Sequence, residues 1–173
     1  ALSSAASDVY KRQIMVSVDE SRLITITIRD DGSGMSDELK ERVTSPFATT
    51  RTTRKVGLGI PLMMQNARLA GGNVRIDSTL GQGTTLTATL HGDSIDCLPL
   101  GDLAGTVVSL VSANPERPDF RLSCSSPKGS MDFDTREMRQ ALGNVPLNEP
   151  EITAWMLSAI QEEIEPIFGG VIL

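Results

Sequence analysis

Alternation of apolar and polar residues predicts two β-hairpins in the first half of the chain. Apolar residues occupy every second position in residues 14–18 and again in residues 24–28, with a polar turn between the two runs. The same period returns in residues 74–76 and 86–90, on either side of the glycine-containing turn 81–83. Because strand side chains alternate between two faces, each run predicts a strand with one apolar face.

A spacing of three and four predicts a helix between the two hairpins. The apolar positions with this spacing are Ile60, Met63, Met64, Ala67 and Ala70. Gly57 and Gly59 precede the helix, and proline suits its first turn. Unpaired amides and the positive end of the helix dipole make this entrance suitable for an anion such as phosphate. A tight turn that brings the helix close to a sheet is the alternative, and both stay open on this segment alone.

The second predicted strand ends in a carboxylate. If Asp30 continues the strand, it projects to the same buried face as Ile28. A buried carboxylate needs a hydrogen-bond donor, which is either a structural partner or a ligand group such as the amino group of adenine. Gly32 and Gly34 come next in the run DDGSGM and free the backbone to turn.

A hydroxyl-rich, cationic loop separates this turn from the glycine pair. A short helix capped by Ser36 is predicted first, with Leu39 and Val43 on its inner face. The run TSPFATTRTTRKV then has no regular apolar period. Its arginines and lysine suit phosphate oxygens, although a solvated loop without a ligand is the alternative.

The second half contains no motif that we can connect to chemistry. It predicts a helix capped by Asp102, a third hairpin across residues 120–133, a helix capped by Thr135, and a last helix beginning at Pro150. The last helix has an apolar stripe, which we interpret as core and not as a partner groove: Ile152, Trp155, Met156, Ala159 and Ile160.

Charge and cysteine content exclude several classes of protein. The 173 residues carry a net charge of −6, which argues against a general nucleic-acid or anionic-membrane surface. The two cysteines, Cys97 and Cys124, form no CxxC pair, and we interpret them as buried or incidental residues in a reducing compartment. No apolar run is long enough to span a bilayer, and no signal-peptide pattern opens the chain. A cytoplasmic location is therefore expected.

Residues 1–13, ALSSAASDVYKRQ, fit poorly with the pattern of the strands that begin at Ile14. They resemble translated sequencing-adaptor read-through, and the chain does not begin with methionine. We therefore expect a non-native or disordered start and a missing beginning of the domain. A frayed natural N-terminus is the alternative.

Four motifs in order, DDGSGM, SPFATTR, KVGLGI and GQGTT, resemble the ATP-binding domain of the GHKL superfamily. This superfamily includes histidine kinases, gyrase-type topoisomerases, mismatch-repair MutL proteins and anti-sigma-factor kinases. The resemblance covers about residues 14–91. The run TTRTTRKVGLGIPL is most similar to small stand-alone ATP-binding proteins of anaerobic bacteria.

The resemblance implies a set of ATP-binding residues. Asp30 would accept from the adenine amino group, Thr84 would contact the base directly or through water, and backbone amides after Gly57 would hold the phosphates. The lid would contain Phe47, Thr49, Thr50, Arg51 and Lys55. The implied ATP-binding set is Asp30, Gly32, Gly34, Met35, Phe47, Thr49, Thr50, Arg51, Lys55, Gly57, Leu58, Gly59, Ile60 and Thr84.

One part of the family pattern is missing. Family members have an N-terminal helix whose asparagine holds Mg²⁺ and whose acidic residue activates water in the hydrolysing branches, and residues 1–13 supply neither. We therefore assign no catalytic residue and no metal ligand in this chain, although ATP and Mg²⁺ are the implied cofactors. His91, the only histidine, ends a strand, so we do not expect it to be a phosphate acceptor.

These observations lead to one prediction of fold and function. The fold class is α+β: a Bergerat-type α/β two-layer sandwich, with a mixed, mostly antiparallel sheet covered by helices on one face, plus a small C-terminal α+β extension. We expect the ATP-binding domain in residues 14–92 and an accessory region in 93–173. The function is ATP binding, with phosphoryl transfer to a protein partner or ATP hydrolysis in the complete protein. A non-catalytic nucleotide-sensing module is the alternative.

Overall fold

The computed structural model describes residues 11–44 and 59–169. Its elements are, in chain order, β1 Lys11–Val18, β2 Leu23–Asp30, α1 Asp37–Thr44, α2 Gly59–Leu69, β3 Asn73–Thr79, β4 Gly83–His91, α3 Leu103–Ala113, β5 Asp119–Ser126, β6 Gly129–Asp134, α4 Thr135–Leu142 and α5 Pro150–Phe168.

The described strands form one mixed sheet. Its six strands lie in the order β3-β4-β2-β1-β5-β6. Strands β1 and β5 are parallel, and every other neighbouring pair is antiparallel. Strand β5 adds the third hairpin to the free side of β1, so both halves of the chain share one sheet.

The two faces of the sheet differ in polarity because side chains paired across a sheet lie on the same face. One row of the inner face crosses all six strands through Ile76, Leu86, Ile28, Ile14, Leu122 and Phe133. One row of the other face contains Arg75, Thr87, Thr27, Met15, Ser123 and Asp132. Only the first face can bury a continuous apolar surface.

Helices cover the apolar face. Helix α2 contacts β3 and β4, and α5 contacts β5 and β6. Ala67 of α2, Val107 of α3 and Met156 of α5 are fully buried and join the sheet residues in one hydrophobic cluster. The architecture is therefore the two-layer α+β sandwich that the sequence predicted.

Hairpins and helix caps agree closely with the predicted pattern. Asp102 caps α3 by accepting a hydrogen bond from the Gly105 amide at 2.7 Å. The Ser36 hydroxyl accepts from the Leu39 amide at 3.2 Å at the start of α1. Strand β1 starts at Lys11, three residues before the alternation begins, because backbone pairing does not require apolar side chains. The division at residue 92 stays a prediction.

Two predictions about the second half are wrong. Asp134, and not Thr135, caps α4; Thr135 is fully buried, and its hydroxyl accepts from the Phe120 amide at 2.9 Å. On α5, Met156 and Ile160 are buried as predicted, but Trp155 is 58% exposed. A helix presents only part of a broad apolar stripe to one sheet, and Trp155 lies at the edge of that part.

Candidate functional site

The inner face of the sheet becomes polar at one end. Beyond the apolar row, Ser78 pairs with Thr84, and Thr84 pairs with Asp30. Asp30 is 6% exposed and Thr84 is 5% exposed. Arg12 of β1 is the next residue in this row. A carboxylate and two hydroxyls therefore lie side by side where the apolar core ends.

The carboxylate of Asp30 is held by the turn directly after it. Its Oδ1 atom accepts a hydrogen bond from the Gly32 amide at 2.9 Å. An ionised carboxylate has about four lone-pair positions, so this contact leaves acceptor capacity for a further donor. The contact fixes the side chain against the turn that follows β2.

The loop after Asp30 folds back over the turn between β3 and β4. The Gly81 amide donates to the Ser33 carbonyl oxygen at 2.8 Å. Gly34 has a φ of +66°, and a Cβ atom there would lie 2.0 Å from the Thr79 carbonyl oxygen. Only glycine fits this close approach. The predicted base-pocket residues Gly32, Gly34 and Met35 are thus placed beside the hairpin that carries Thr84.

Ser78 joins these segments, although it is not among the residues predicted from the sequence. Its Oγ atom accepts from the Met35 amide at 2.8 Å, donates to the Gly83 carbonyl at 3.0 Å, and lies 2.9 Å from the Thr84 hydroxyl. A sequence signal existed, because Ser78 continues the alternation of Val74 and Ile76 and lies opposite Thr84 across the predicted turn.

Lys40 of α1 connects the helix layer to the same edge. Its ammonium group donates to the Ser78 carbonyl oxygen at 3.2 Å and lies 2.6 Å from Asp37. The hydrogen bond and the positive charge of Lys40 lower the pKa of the Asp37 carboxyl below its usual value. This places one cation next to the loop that contains Gly34 and Met35.

The predicted phosphate site lies partly outside the described residues. Gly59 is the first residue of α2 and is exposed, whereas Ile60 is 8% exposed and anchors the helix start in the core. The other members of the predicted phosphate loop and lid lie outside the described residues: Phe47, Thr49, Thr50, Arg51, Lys55, Gly57 and Leu58.

Residues 11–44 and 59–169 contain no group of three or more His, Cys, Asp or Glu side chains placed to hold a metal ion. None of the helices in these two ranges is long and apolar enough to cross a membrane.

The sandwich fold holds a buried aspartate beside a glycine turn at one end of its apolar face. The family model described as "Histidine kinase-, DNA gyrase B-, and HSP90-like ATPase" matches residues 1–94 of the 173, which is more than half of the chain. The chain belongs to this family. It therefore carries an ATP-binding domain of the histidine-kinase type, as the resemblance in the sequence implied.

Two curated relatives show the extent of the sequence similarity. An uncharacterized sensor-like histidine kinase of Rhizobium meliloti is 32% identical over 88 residues, which cover 46% of this chain and 17% of that protein. Sensor histidine kinase WalK of Bacillus subtilis is 34% identical over 77 residues, which cover 42% of this chain and 13% of that protein. The chain thus matches less than a fifth of the length of each relative.

A solved histidine kinase domain from the blue-light activated histidine kinase of Erythrobacter litoralis EL346 is also similar. It is 19% identical, covers 46% of this chain and 31% of that chain, and has a TM-score of 0.33. A TM-score this low supports no conclusion about the site.

Proposed function

We propose that this chain binds ATP with the adenine base against the Asp30–Thr84–Ser78 row and the phosphates at the start of α2. The observation that carries the proposal is the buried Asp30 carboxylate, which lies between the core and a glycine turn in a chain of this ATPase family. The turn fixes the carboxylate without using all of its acceptor positions.

The polar row matches the hydrogen-bonding edge of adenine. The 6-amino group of adenine donates, and the adjacent ring nitrogen N1 accepts. In the proposed complex Asp30 accepts from the amino group, while the Thr84 hydroxyl donates to N1 directly or through water. Apolar side chains next to the row, such as Leu86, supply an apolar surface for the flat base to pack against.

The phosphate end of the proposed complex rests on the sequence and the family. The amides of residues 57–60 would hold phosphate oxygens at the positive end of α2. The lid residues Phe47, Thr49, Thr50, Arg51 and Lys55 would cover them. Mg²⁺ would supply charge compensation to the phosphates when bound. We assign no ligand for it among the described residues and derive no step through the metal.

The reaction of the complete protein would be γ-phosphoryl transfer to a protein partner or to water. A nucleotide-sensing module without turnover is a second candidate, and the continuous sheet favours it. Strand β5 of the second half pairs with β1, and β1 pairs with β2, which carries Asp30. A shift of β2 on nucleotide binding would therefore be passed to β5 through the backbone hydrogen bonds of the sheet. Turnover of ATP would discriminate between the two candidates, because only the first of them releases or transfers the γ-phosphoryl group.

Calorimetry with ATP and Mg²⁺ tests the binding proposal. Asp30→Asn should weaken binding at least tenfold, because the amide replaces an acceptor oxygen with a donor that faces the adenine amino group. Asp31→Asn is the matched control, since Asp31 is the adjacent carboxylate and is exposed. Equal titrations for the wild type and Asp30→Asn would contradict the proposed base contact.

A further inference from the structure

We propose that β3 is a dimerisation edge, at which two copies of this chain pair their β3 strands antiparallel and form one continuous sheet. The pairing places Ile76 opposite Ile76 of the second copy on a two-fold axis. It also places Arg75 opposite Asp77 of the second copy. The inference goes beyond the proposed function and does not depend on nucleotide binding.

Strand β3 has an open side that can accept another strand. It is an edge of the described sheet, with β4 as its neighbour on one side. Residues along an antiparallel strand alternate in the side to which their backbone groups point. The Asn73 amide donates to the Thr89 hydroxyl on β4 at 3.1 Å, so the odd-numbered residues of β3 face β4. The even-numbered residues Val74, Ile76 and Ser78 therefore direct their amides and carbonyls to the open edge.

The Ser78 carbonyl agrees with this direction, because it accepts from the Lys40 ammonium group of α1 at 3.2 Å and not from β4. Backbone groups at an open edge are a template for another strand. In the proposed dimer, Ile76 exchanges both backbone hydrogen bonds with Ile76 of the second copy. Val74 accepts from the Ser78 amide of the second copy, and the same contact repeats on the other side of the axis.

The outer face of β3 carries one cation and one anion that match this pairing. The side chains of Arg75 and Asp77 are 77% and 54% exposed. Within one copy, two guanidinium nitrogens of Arg75 donate to Asp77 Oδ1 at 3.0 and 2.9 Å. A guanidinium has five N–H donors, so Arg75 keeps donors for a second carboxylate. With Ile76 on the axis, the four charges of the two copies alternate in sign around it.

Charge also excludes the neighbouring registers and the other edge of the sheet. An axis through Arg75 or Asp77 would place that residue opposite its own counterpart, and like charges directly opposite each other destabilise a strand pair. Strand β6, the other edge, carries Asp132 and Asp134 and no cation, so two copies of β6 would bring only carboxylates together. The sequence of β3 is thus self-complementary, whereas that of β6 is not.

The inner face of β3 gives an apolar reason for pairing. Val74 and Ile76 are only partly buried where they pack against the hydrophobic cluster. Their partners in β4, Ala88 and Leu86, are 0% and 2% exposed. A second β3 strand would cover apolar surface of Ile76 that a single copy leaves in contact with water.

Sedimentation equilibrium over a concentration series of the full chain, without nucleotide, tests the proposal. The wild type should dimerise reversibly. Asp77→Arg and Arg75→Asp should each raise the Kd of the dimer at least tenfold, because each variant places like charges opposite each other. An equimolar mixture of the two variants should form a heterodimer, because one edge then carries two cations and the other two carboxylates.

Asp132→Arg is the matched control for these charge reversals. Asp132 is 58% exposed and forms the corresponding ion pair with Arg121 near the other edge of the sheet. Reversal of its charge should leave the Kd of the dimer unchanged, because the β3 edge is not altered.

Oxidative cross-linking measures the register in a Cys97→Ser background. Ile76→Cys should form a disulfide between copies, because the Cα atoms of a hydrogen-bonded pair are about 5.5 Å apart, which suits a disulfide. Val74→Cys is the matched control and should not cross-link. The two Val74 positions of the dimer are separated by four residues along the paired strands, which is about 13 Å.

Each of several results would overturn the proposal. The first is a wild type that stays monomeric up to about 1 mM protein. The others are a dimer unchanged by both charge reversals at β3, a dimer abolished by Asp132→Arg, equal cross-linking by Ile76→Cys and Val74→Cys, and two variants that are folded by circular dichroism but form no heterodimer. Because no nucleotide is present, any of these results leaves the proposed function standing.

Discussion

Gly83→Ala should destabilise the protein much more than Gly81→Ala, although both glycines lie in the same turn. Gly81 has a φ of +76° and Gly83 a φ of +88°, so alanine would be strained at either position by about 1–2 kcal/mol. A Cβ atom at Gly81 would meet nothing within 4 Å. A Cβ atom at Gly83 would lie 2.1 Å from the Asp30 carbonyl oxygen, a contact that the backbone must relieve by moving.

The contact with the Asp30 carbonyl sets the expected difference. Relief of an overpacked contact costs about 1–3 kcal/mol, so Gly83→Ala should lower the free energy of unfolding by about 2–5 kcal/mol in total. Gly81→Ala should lower it by only about 1–2 kcal/mol. Urea unfolding of the two variants measures both values. Gly83→Ala should also weaken ATP binding, because the strand segment that moves carries Asp30.

Equal destabilisation by the two substitutions would refute this reasoning. It would mean that β2 and β4 separate at no cost beside Gly83, and therefore that the Asp30 row is not a rigid part of the sheet. A normal ATP titration in a strongly destabilised Gly83→Ala variant would show that the strain at Gly83 does not reach the site.

Two further predictions concern the second half of the chain. Hydrogen bonding to Arg136 lowers the pKa of the Asp134 carboxyl, so this contact stabilises the fold above the unfolded pKa of about 3.9 and is lost as the pH falls through the lowered folded pKa. Asp134→Asn should therefore cost about 1 kcal/mol at pH 7 and progressively less as the pH falls below about 3.9 in urea unfolding, and a cost that does not fall over this range would contradict the expected linkage. Burial raises the pKa of the Cys124 thiol to about 12, whereas Cys97 is only partly buried, so a thiol reagent at about pH 8 should label Cys97 first and Cys124 only after unfolding. Rapid labelling of both thiols in the folded protein would show that β5 opens readily.

Local patterns were sufficient to predict most elements of this fold. Alternation identified the three hairpins, because the period of two is a property of each strand alone. Asp102 and Ser36 were recognised as caps, because a cap acts within three residues of its own helix. The inward direction of Asp30 was expected from its spacing to Ile28, and its 6% exposure agrees with that expectation.

Errors arose where a residue's partner is distant in sequence. Thr135 is a residue type that often caps helices, but its hydroxyl accepts a hydrogen bond from the Phe120 amide on strand β5. Trp155 fits a helical stripe, but it is 58% exposed, because a helix presents only part of a broad apolar stripe to its neighbours. Spacing along one element cannot reveal either result.

The order of amino acids was enough to assign side chains to a face of each element and to locate most element ends, because these properties depend on residues a few positions apart. The parallel pairing of β5 with β1, and the row formed by Ser78, Thr84 and Asp30, became visible only in the folded chain. Neighbours in a sheet are selected by the packing of the whole apolar face against its helices, and a hydroxyl such as that of Ser78 gains its role only when distant segments supply its partners.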